Sequence, residues 1–230
     1  MGFSRYAIPE ATRVFSGEER ATLVRRTYSL VLGSVLVTMA GVSFGLGNEG
    51  IRDAVMQHWF ISFLLIMAPL MLAQSTKLAM PQRLGLVALF AGMEGVWLSP
   101  LIFAANVASP GIVGQAGGLT LGAFSVLTFY TFVSRRDFSA WGGFLITGLF
   151  VLMAALLIGM FFPLGQSAYL WMSAMGVLLF AGLLVFDTWR LLRSNQFGPD
   201  DFIPAAIQIY LDLLNMFLFI LSMLGGGRRK

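Results

Sequence analysis

Three acidic residues interrupt the long apolar stretches of this 230-residue chain. Glu94, Asp187 and Asp212 each lie inside a run long enough to cross a bilayer. An ionised side chain is costly at that depth unless it is paired, protonated or hydrated, so such residues are functional candidates by default. The chemistry that carboxyl groups offer there is proton exchange and the binding of hard cations.

Asp187 and Asp212 are expected to form a pair. With a rise of 1.5 Å per helical residue they lie about 8 Å and 10 Å from the neighbouring ends of two consecutive helices. Two carboxylates close together in a poorly hydrated site cannot both ionise cheaply, so we expect them to share a proton. When both are ionised their oxygens suit a transient Ca²⁺ ion, whose remaining ligands would be carbonyls or water.

The second of these helices carries a polar stripe. Gln208, Asp212, Asn215 and Ser222 follow one another at spacings of four, three and seven residues, which places them on one helical face. Such a stripe must face the interior of a bundle rather than lipid. It is either a hydrogen-bonding seam between helices or one wall of a path for ions or protons, and the second acid at matching depth favours the path.

The composition indicates the elements that position these acids. The chain is 57% hydrophobic and 11% charged, whereas soluble domains carry roughly 25% charged residues. Seven stretches approach or reach the roughly 17–25 residues that a bilayer requires. They cover residues 28–46, 59–75, 84–107, 118–133, 141–162, 169–189 and 203–224, with the fourth expected to begin earlier. We therefore predict an all-α polytopic membrane protein with a cytoplasmic tail (1–27), a seven-helix bundle (28–225) and a basic C-terminal tail (226–230).

The distribution of Lys and Arg predicts the orientation. Eleven of them lie in the tail and in alternate loops, while the opposite loops contain Arg52 alone. The positive-inside rule then places the N-terminus in the cytoplasm. An odd number of spans leaves the basic C-terminal tail outside, so the seventh segment either crosses, as we expect, or is re-entrant.

Several function classes are excluded or disfavoured. The chain has no Cys and one His, so thiol chemistry and His-rich metal sites are not available, and we expect no tightly bound cofactor. The basic residues form short clusters rather than a continuous stripe, which argues against nucleic acid as a partner. An aspartyl intramembrane protease would need GxGD and YD motifs, but Asp187 follows Phe186 and Asp212 follows Leu211. We therefore do not expect an enzyme.

Two pairs of glycines have the spacing that allows close helix crossing: Gly41 with Gly45, and Gly118 with Gly122. Packing within the bundle is the favoured interpretation of both pairs. Dimerisation is the alternative.

Three motifs resemble those of a known family. The segment AIQIYLDLLNMFLFIL (206–221) resembles the seventh-helix signature of the Bax inhibitor (TMBIM) family, approximately LYLDxxNxFxxxL. Phe186-Asp187-Thr188 resembles its acidic sixth-helix motif, and GVWLSP (95–100) resembles its third-helix G-x-x-L-x-P segment. The resemblance extends over nearly the whole chain after residue 20, and the seventh-helix motif is the specific one.

The resemblance implies a bundle whose seventh helix is surrounded by the other six, in a bacterial inner membrane. It also implies a pH-sensitive calcium leak governed by an aspartate pair that matches Asp187 and Asp212. In some bacterial members an Arg on the second helix latches onto the sixth-helix acid; Lys77 stands there in this chain and lacks the planar fork of Arg. Lys77 is therefore either a weak latch or an interfacial cation. Glu94 is outside the implied sensor and is expected to line the pore or to pair with a polar group.

Two functions remain open. A calcium leak has the lipid bilayer, calcium ions and protons as its partners, with Gln208 and Asn215 supporting the aspartates. A non-transporting regulator would instead bind another membrane protein, such as a quality-control protease, and the aspartates would be dispensable.

Overall fold

Helices form the whole regular structure of the described part of the chain. The computed structural model describes residues 16–162, 164–193, 197–198 and 201–226. Its helices are α1 (Gly17–Leu46), α2 (Glu49–Gln57), α3 (Trp59–Ala73), α4 (Met80–Ala108), α5 (Ile112–Val133), α6 (Trp141–Phe161), α7 (Gln166–Arg193) and α8 (Phe202–Gly226). Six of these are long and apolar enough to cross a membrane, and the bent pair α2–α3 would be a seventh span. The predicted all-α polytopic membrane fold is confirmed.

The first helix begins at Gly17 rather than at residue 28. Ser16 and Glu19 form a capping box, in which the Glu19 N–H donates to Ser16 Oγ (3.2 Å) and the Ser16 N–H donates to the Glu19 carboxylate (2.9 Å). Residues 17–27 of the predicted tail are therefore helical. Residues 1–15 and 227–230, which hold the rest of both predicted tails, lie outside the described residues.

The second predicted span, residues 59–75, is a helix but a short one. Its helix α3 has 15 residues, which reach about 22 Å, short of a hydrocarbon core of about 30 Å. The preceding helix α2 meets it at an angle of 97°. No residue of α2 is buried, as expected for a short helix that lies along a membrane surface.

The last helix lies at the centre of the bundle. It packs against α1, α4, α5 and α7, while α3 packs against α4 and α6 against α7. Ile203, Ile209 and Met216 on α8 have no exposed surface. The central position of the seventh span is confirmed, although α3 and α6 approach it through neighbouring helices rather than directly.

Glycines bring α1 and α4 into backbone contact. A Cβ atom on Gly41 would lie 2.3 Å from the Gly92 carbonyl oxygen, and one on Gly95 would lie 2.2 Å from the Thr38 carbonyl oxygen. Packing within the bundle is thus the role of Gly41. Around Gly118 and Gly122 no described atom lies within 4 Å of a Cβ position, so packing does not explain the second pair.

Candidate ion and proton site

The hairpin of α7 and α8 carries most of the polar residues predicted for the site. Its interface, here called the α7–α8 seam, ends in a hydrogen bond between the Ser173 and Ser222 hydroxyls (2.8 Å). In the middle the Phe180 and Phe219 rings stack with centroids 5.7 Å apart. Gly176 leaves room for Phe219, since a Cβ atom there would lie 2.4 Å from that ring. The aromatic pair therefore separates the serines from the acids at the other end of the seam.

The structure brings Asp187 and Asp212 together. Both residues are buried, with 8% and 6% of their surfaces exposed, and their carboxyl groups lie within hydrogen-bonding reach of each other. Asp212 Oδ2 receives no hydrogen bond from the described residues. Because an ionised carboxylate only accepts hydrogen bonds, a bond between two such groups needs a proton between them. The geometry thus provides one place for a shared proton.

Arg190 covers this pair. Its Nη1 donates to Asp187 Oδ1 at 2.9 Å and to Gln208 Oε1 at 3.4 Å. The guanidinium also lies 5.1 Å from the Phe197 ring centroid and 5.5 Å from that of Phe186. Four side chains from both helices and their connection therefore hold one positive charge beside the two acids.

Sequence reasoning treated Arg190 as a topology signal and missed this contact. The separation of three residues between Asp187 and Arg190 was the available signal, because helical residues at that spacing lie on one face. Lys77, for which a weak latch and an interfacial cation were the two alternatives, is exposed in the turn between α3 and α4. Among the described cations it is Arg190 that pairs with Asp187.

The supporting amides differ in their positions. Gln208 is half-buried and accepts from Arg190. Asn215 donates from Nδ2 to the Leu211 carbonyl oxygen of its own helix (2.8 Å). That bond leaves the Asn215 Oδ1 atom as an acceptor, one helical turn beyond Asp212.

Glu94 belongs to a different environment. Tyr210 precedes Asp212 by two residues, a rotation of about 200° around α8, so the two side chains lie on nearly opposite faces. The Thr38 hydroxyl donates to the Ser34 carbonyl oxygen (2.8 Å), so the Tyr210 hydroxyl donates to Thr38 Oγ1 at 2.7 Å. Glu94 is 9% exposed and interacts electrostatically with Tyr210. The third acid therefore lies on the α1–α4 side of the central helix.

Two carboxylates alone would not complete the ligand shell of a cation. Within the described ranges, no three His, Cys, Asp or Glu side chains are grouped so that they could hold a metal ion. A Ca²⁺ ion takes six to eight oxygen ligands, so two carboxylates would need amide, carbonyl or water oxygens to complete its shell. Such a site would bind weakly and release readily.

Comparisons with known proteins agree with the motifs. A family profile described as "Inhibitor of apoptosis-promoting Bax1" matches residues 20–229. The chain belongs to the Bax inhibitor family. Relatives of this Bax inhibitor family member include an uncharacterized membrane protein of Vibrio cholerae, 34% identical over 94% of this chain and 96% of the relative.

Eukaryotic relatives align over most of their lengths as well. Bax inhibitor 1 of Schizosaccharomyces pombe is 31% identical over 90% of this chain and 77% of its own. Protein lifeguard 4 of the mouse is 28% identical over 92% of this chain and 87% of its own. The predicted family is thereby confirmed, and both helices of the seam lie inside the matched region.

Proposed function

We propose that this Bax inhibitor family member is a pH-sensitive calcium leak in which Asp187 and Asp212 are both the proton sensor and the cation site. The observation that carries the proposal is the contact between their two buried carboxyl groups beneath a guanidinium. A structural seam needs no second acid, and an uncompensated pair of buried acids lowers stability.

Three positive species can compete for the same oxygens. A proton joins the two carboxyl groups, the Arg190 guanidinium binds Asp187 at 2.9 Å, and a cation would bind both carboxylates once that proton has left. Each exchange changes the charge at the end of the seam. The flux of calcium is then expected to depend on pH, because protons and calcium ions compete for one pair of groups.

The aromatic pair of the seam is the barrier in this proposal. Phe180 and Phe219 stack beyond the acids and leave no polar side chain between Asn215 and the Ser173–Ser222 bond on that face of α8. A cation held at the aspartates therefore needs these rings to separate before it can move on. Cations would therefore pass these rings slowly, as in a leak rather than in a fast channel.

The orientation of the protein is also a proposal. The basic residues at the Arg190 end of the bundle support a cytoplasmic location for that end and for the N-terminus, in a bacterial inner membrane. Arg193 donates to the Ser134 and Arg136 carbonyl oxygens between α5 and α6, which joins two of the basic segments on the same side.

Calcium flux into proteoliposomes tests the proposal. The purified full chain would be reconstituted with a calcium-sensitive dye inside the vesicles, and influx would be followed between about pH 6 and pH 8. Asp187→Asn and Asp212→Asn should each change the flux and flatten its pH dependence. Asp137→Asn is the matched control, because it neutralises an exposed acid in the α5–α6 connection.

Unchanged flux and unchanged pH dependence in both aspartate variants would overturn the role of the pair. Absence of calcium flux through the wild-type protein would overturn the leak and favour the non-transporting regulator. A membrane protein partner, such as a quality-control protease, should then co-purify with wild-type protein and with both aspartate variants alike.

A further inference from the structure

An apolar groove lies between α1 and α3, away from the aspartates. Both helices pack along α4 but make little contact with each other, which leaves a cavity of about 530 Å³ above α4. Val37 and Phe44 form one wall, Leu65 and Ile66 form the other, and Met93 and Trp97 contribute to the floor. A volume of this size falls within the range of ligand sites, about 300–1,000 Å³.

The groove opens toward the hydrocarbon rather than into the bundle. Phe44 and Leu65 are 57% and 58% exposed along its walls, and Ala40 and Ala88 are exposed between them. The Trp97 indole N–H is already bonded to the Trp59 carbonyl oxygen (3.2 Å). Water has few partners in such a groove, so an apolar chain is the occupant that its surface suits.

A positive charge lies at one end of the groove. Arg52 on α2 donates from Nη1 to the carbonyl oxygens of Gly45 (3.2 Å) and Leu46 (2.5 Å), directly after the groove residue Phe44. Its guanidinium lies over the Phe103 ring, 4.4 Å from the ring centroid. Among the described residues, the two carbonyl oxygens accept from Nη1 alone. The Nε and Nη2 donors of Arg52 can therefore bind an anion.

We infer that the groove binds one acyl chain of an anionic phospholipid whose phosphate contacts Arg52. The short length of α3 explains why the groove exists. Since α3 is short and meets α2 at 97°, α2 does not continue α3 along α4, and Val55 of α2 lines the groove. Lipid then completes the packing that α3 does not provide against α1.

Fluorescence quenching of single-tryptophan variants tests this inference. The full chain would keep Trp97, with its other four tryptophans changed to Phe, and would be reconstituted in phosphatidylcholine containing increasing amounts of phosphatidylglycerol brominated on its acyl chains. We expect quenching of Trp97 to show about fivefold preference for the anionic lipid, as one basic residue at a headgroup would give. Arg52→Gln should remove that preference, and Ala88→Phe should reduce quenching of Trp97 by filling the groove.

A second single-tryptophan variant is the control. Trp171 is 73% exposed and should be quenched in proportion to the bulk lipid composition, with no effect of Arg52→Gln. If Trp97 showed the same dependence on lipid composition as Trp171 and neither groove variant altered it, the groove would be ordinary annular surface and the inference would be wrong. Because Arg52 lies on α2, which has no buried residue, Arg52→Gln should fold and keeps the test decisive even if Ala88→Phe does not.

Discussion

The two most extensive interfaces between the described helices, α1–α4 and α7–α8, differ in the residues that form them. Glycines allow the backbones of α1 and α4 to come into contact. They lie so close that a methyl group on Gly95 would overlap a carbonyl oxygen of α1. The α7–α8 seam instead contains two buried acids, a guanidinium and a pair of serines. Close apolar packing stabilises membrane helices directly, whereas buried charges stabilise weakly or not at all.

The α1–α4 interface stabilises the bundle through backbone contacts at glycines rather than through acidic side chains. A chain that can join helices through glycine has no structural need for acids in the other interface. In the proposed function the polar seam carries the chemistry, so substitutions in the two interfaces should affect different measurements. The four predictions that follow test this division.

Gly95→Ala should have the largest effect on stability. Its Cβ atom would lie 2.2 Å from the Thr38 carbonyl oxygen, a backbone atom that cannot rotate away. We expect a loss of about 3 kcal/mol in the free energy of unfolding, the upper part of the range for overpacking. Equilibrium unfolding in mixed detergent micelles measures this loss of stability. Gly118→Ala, where no described atom is near, is the matched control, and equal losses in both variants would contradict the packing account.

Arg190→Gln should affect both stability and flux. Loss of its charged hydrogen bonds to Asp187 and Gln208 is expected to cost about 2 kcal/mol. Calcium influx should rise several-fold, because a competing cation has left Asp187. Arg190→Lys keeps the positive charge but lacks the planar guanidinium, so its calcium flux should lie between those of the wild type and Arg190→Gln. A fall in flux in Arg190→Gln would show that the guanidinium assists passage rather than competing with it.

Tyr210→Phe should destabilise the protein modestly and leave the leak intact. It removes the 2.7 Å hydrogen bond to Thr38, while the Thr38 hydroxyl keeps its bond to the Ser34 carbonyl. The expected cost is about 1 kcal/mol. Because this hydroxyl lies on the face of α8 away from Asp212, the pH dependence of calcium flux should not change. Altered pH dependence would instead connect the Glu94 environment to the aspartate pair.

Asp212→Asn should have the smallest effect on stability. The asparagine amide can donate to Asp187 in place of the shared proton, so the free energy of unfolding should stay within about 1 kcal/mol of wild type. Thermal unfolding followed by circular dichroism measures it. A large loss would mean that the acid pair is a structural element like the glycines, and the contrast between the two interfaces would fail.

The apolar runs and the depths of the acids made much of this arrangement predictable. Asp187 and Asp212 could be paired because they lie on consecutive helices at similar distances from a short connection. The break before α3 was missed because α2 has nine residues, including charged ones, and such a segment reads as a loop. The start of α1 was missed because hydropathy does not register polar helical turns, although the Ser16–Glu19 cap was present in the sequence.

Contacts distant in sequence could not be predicted. Tyr210 and Thr38 are 172 residues apart, and nothing in either helix alone indicates that their hydroxyls meet. The groove between α1 and α3 was equally hidden, since it depends on the angle between α2 and α3. The hydrogen bond and the groove both depend on the arrangement of the helices in space, which the sequence of a single helix does not indicate.

Infrared difference spectroscopy of the reconstituted protein tests the shared proton most directly. Titration of the wild type should reveal a protonated carboxyl band that shifts or disappears with pH, and either Asp187→Asn or Asp212→Asn alone should abolish that change. Glu94→Gln should leave it in place, because Glu94 lies on the other side of α8. If the band persisted in both aspartate variants and vanished in Glu94→Gln, the titrating group would be Glu94, and the aspartate pair would not be the sensor.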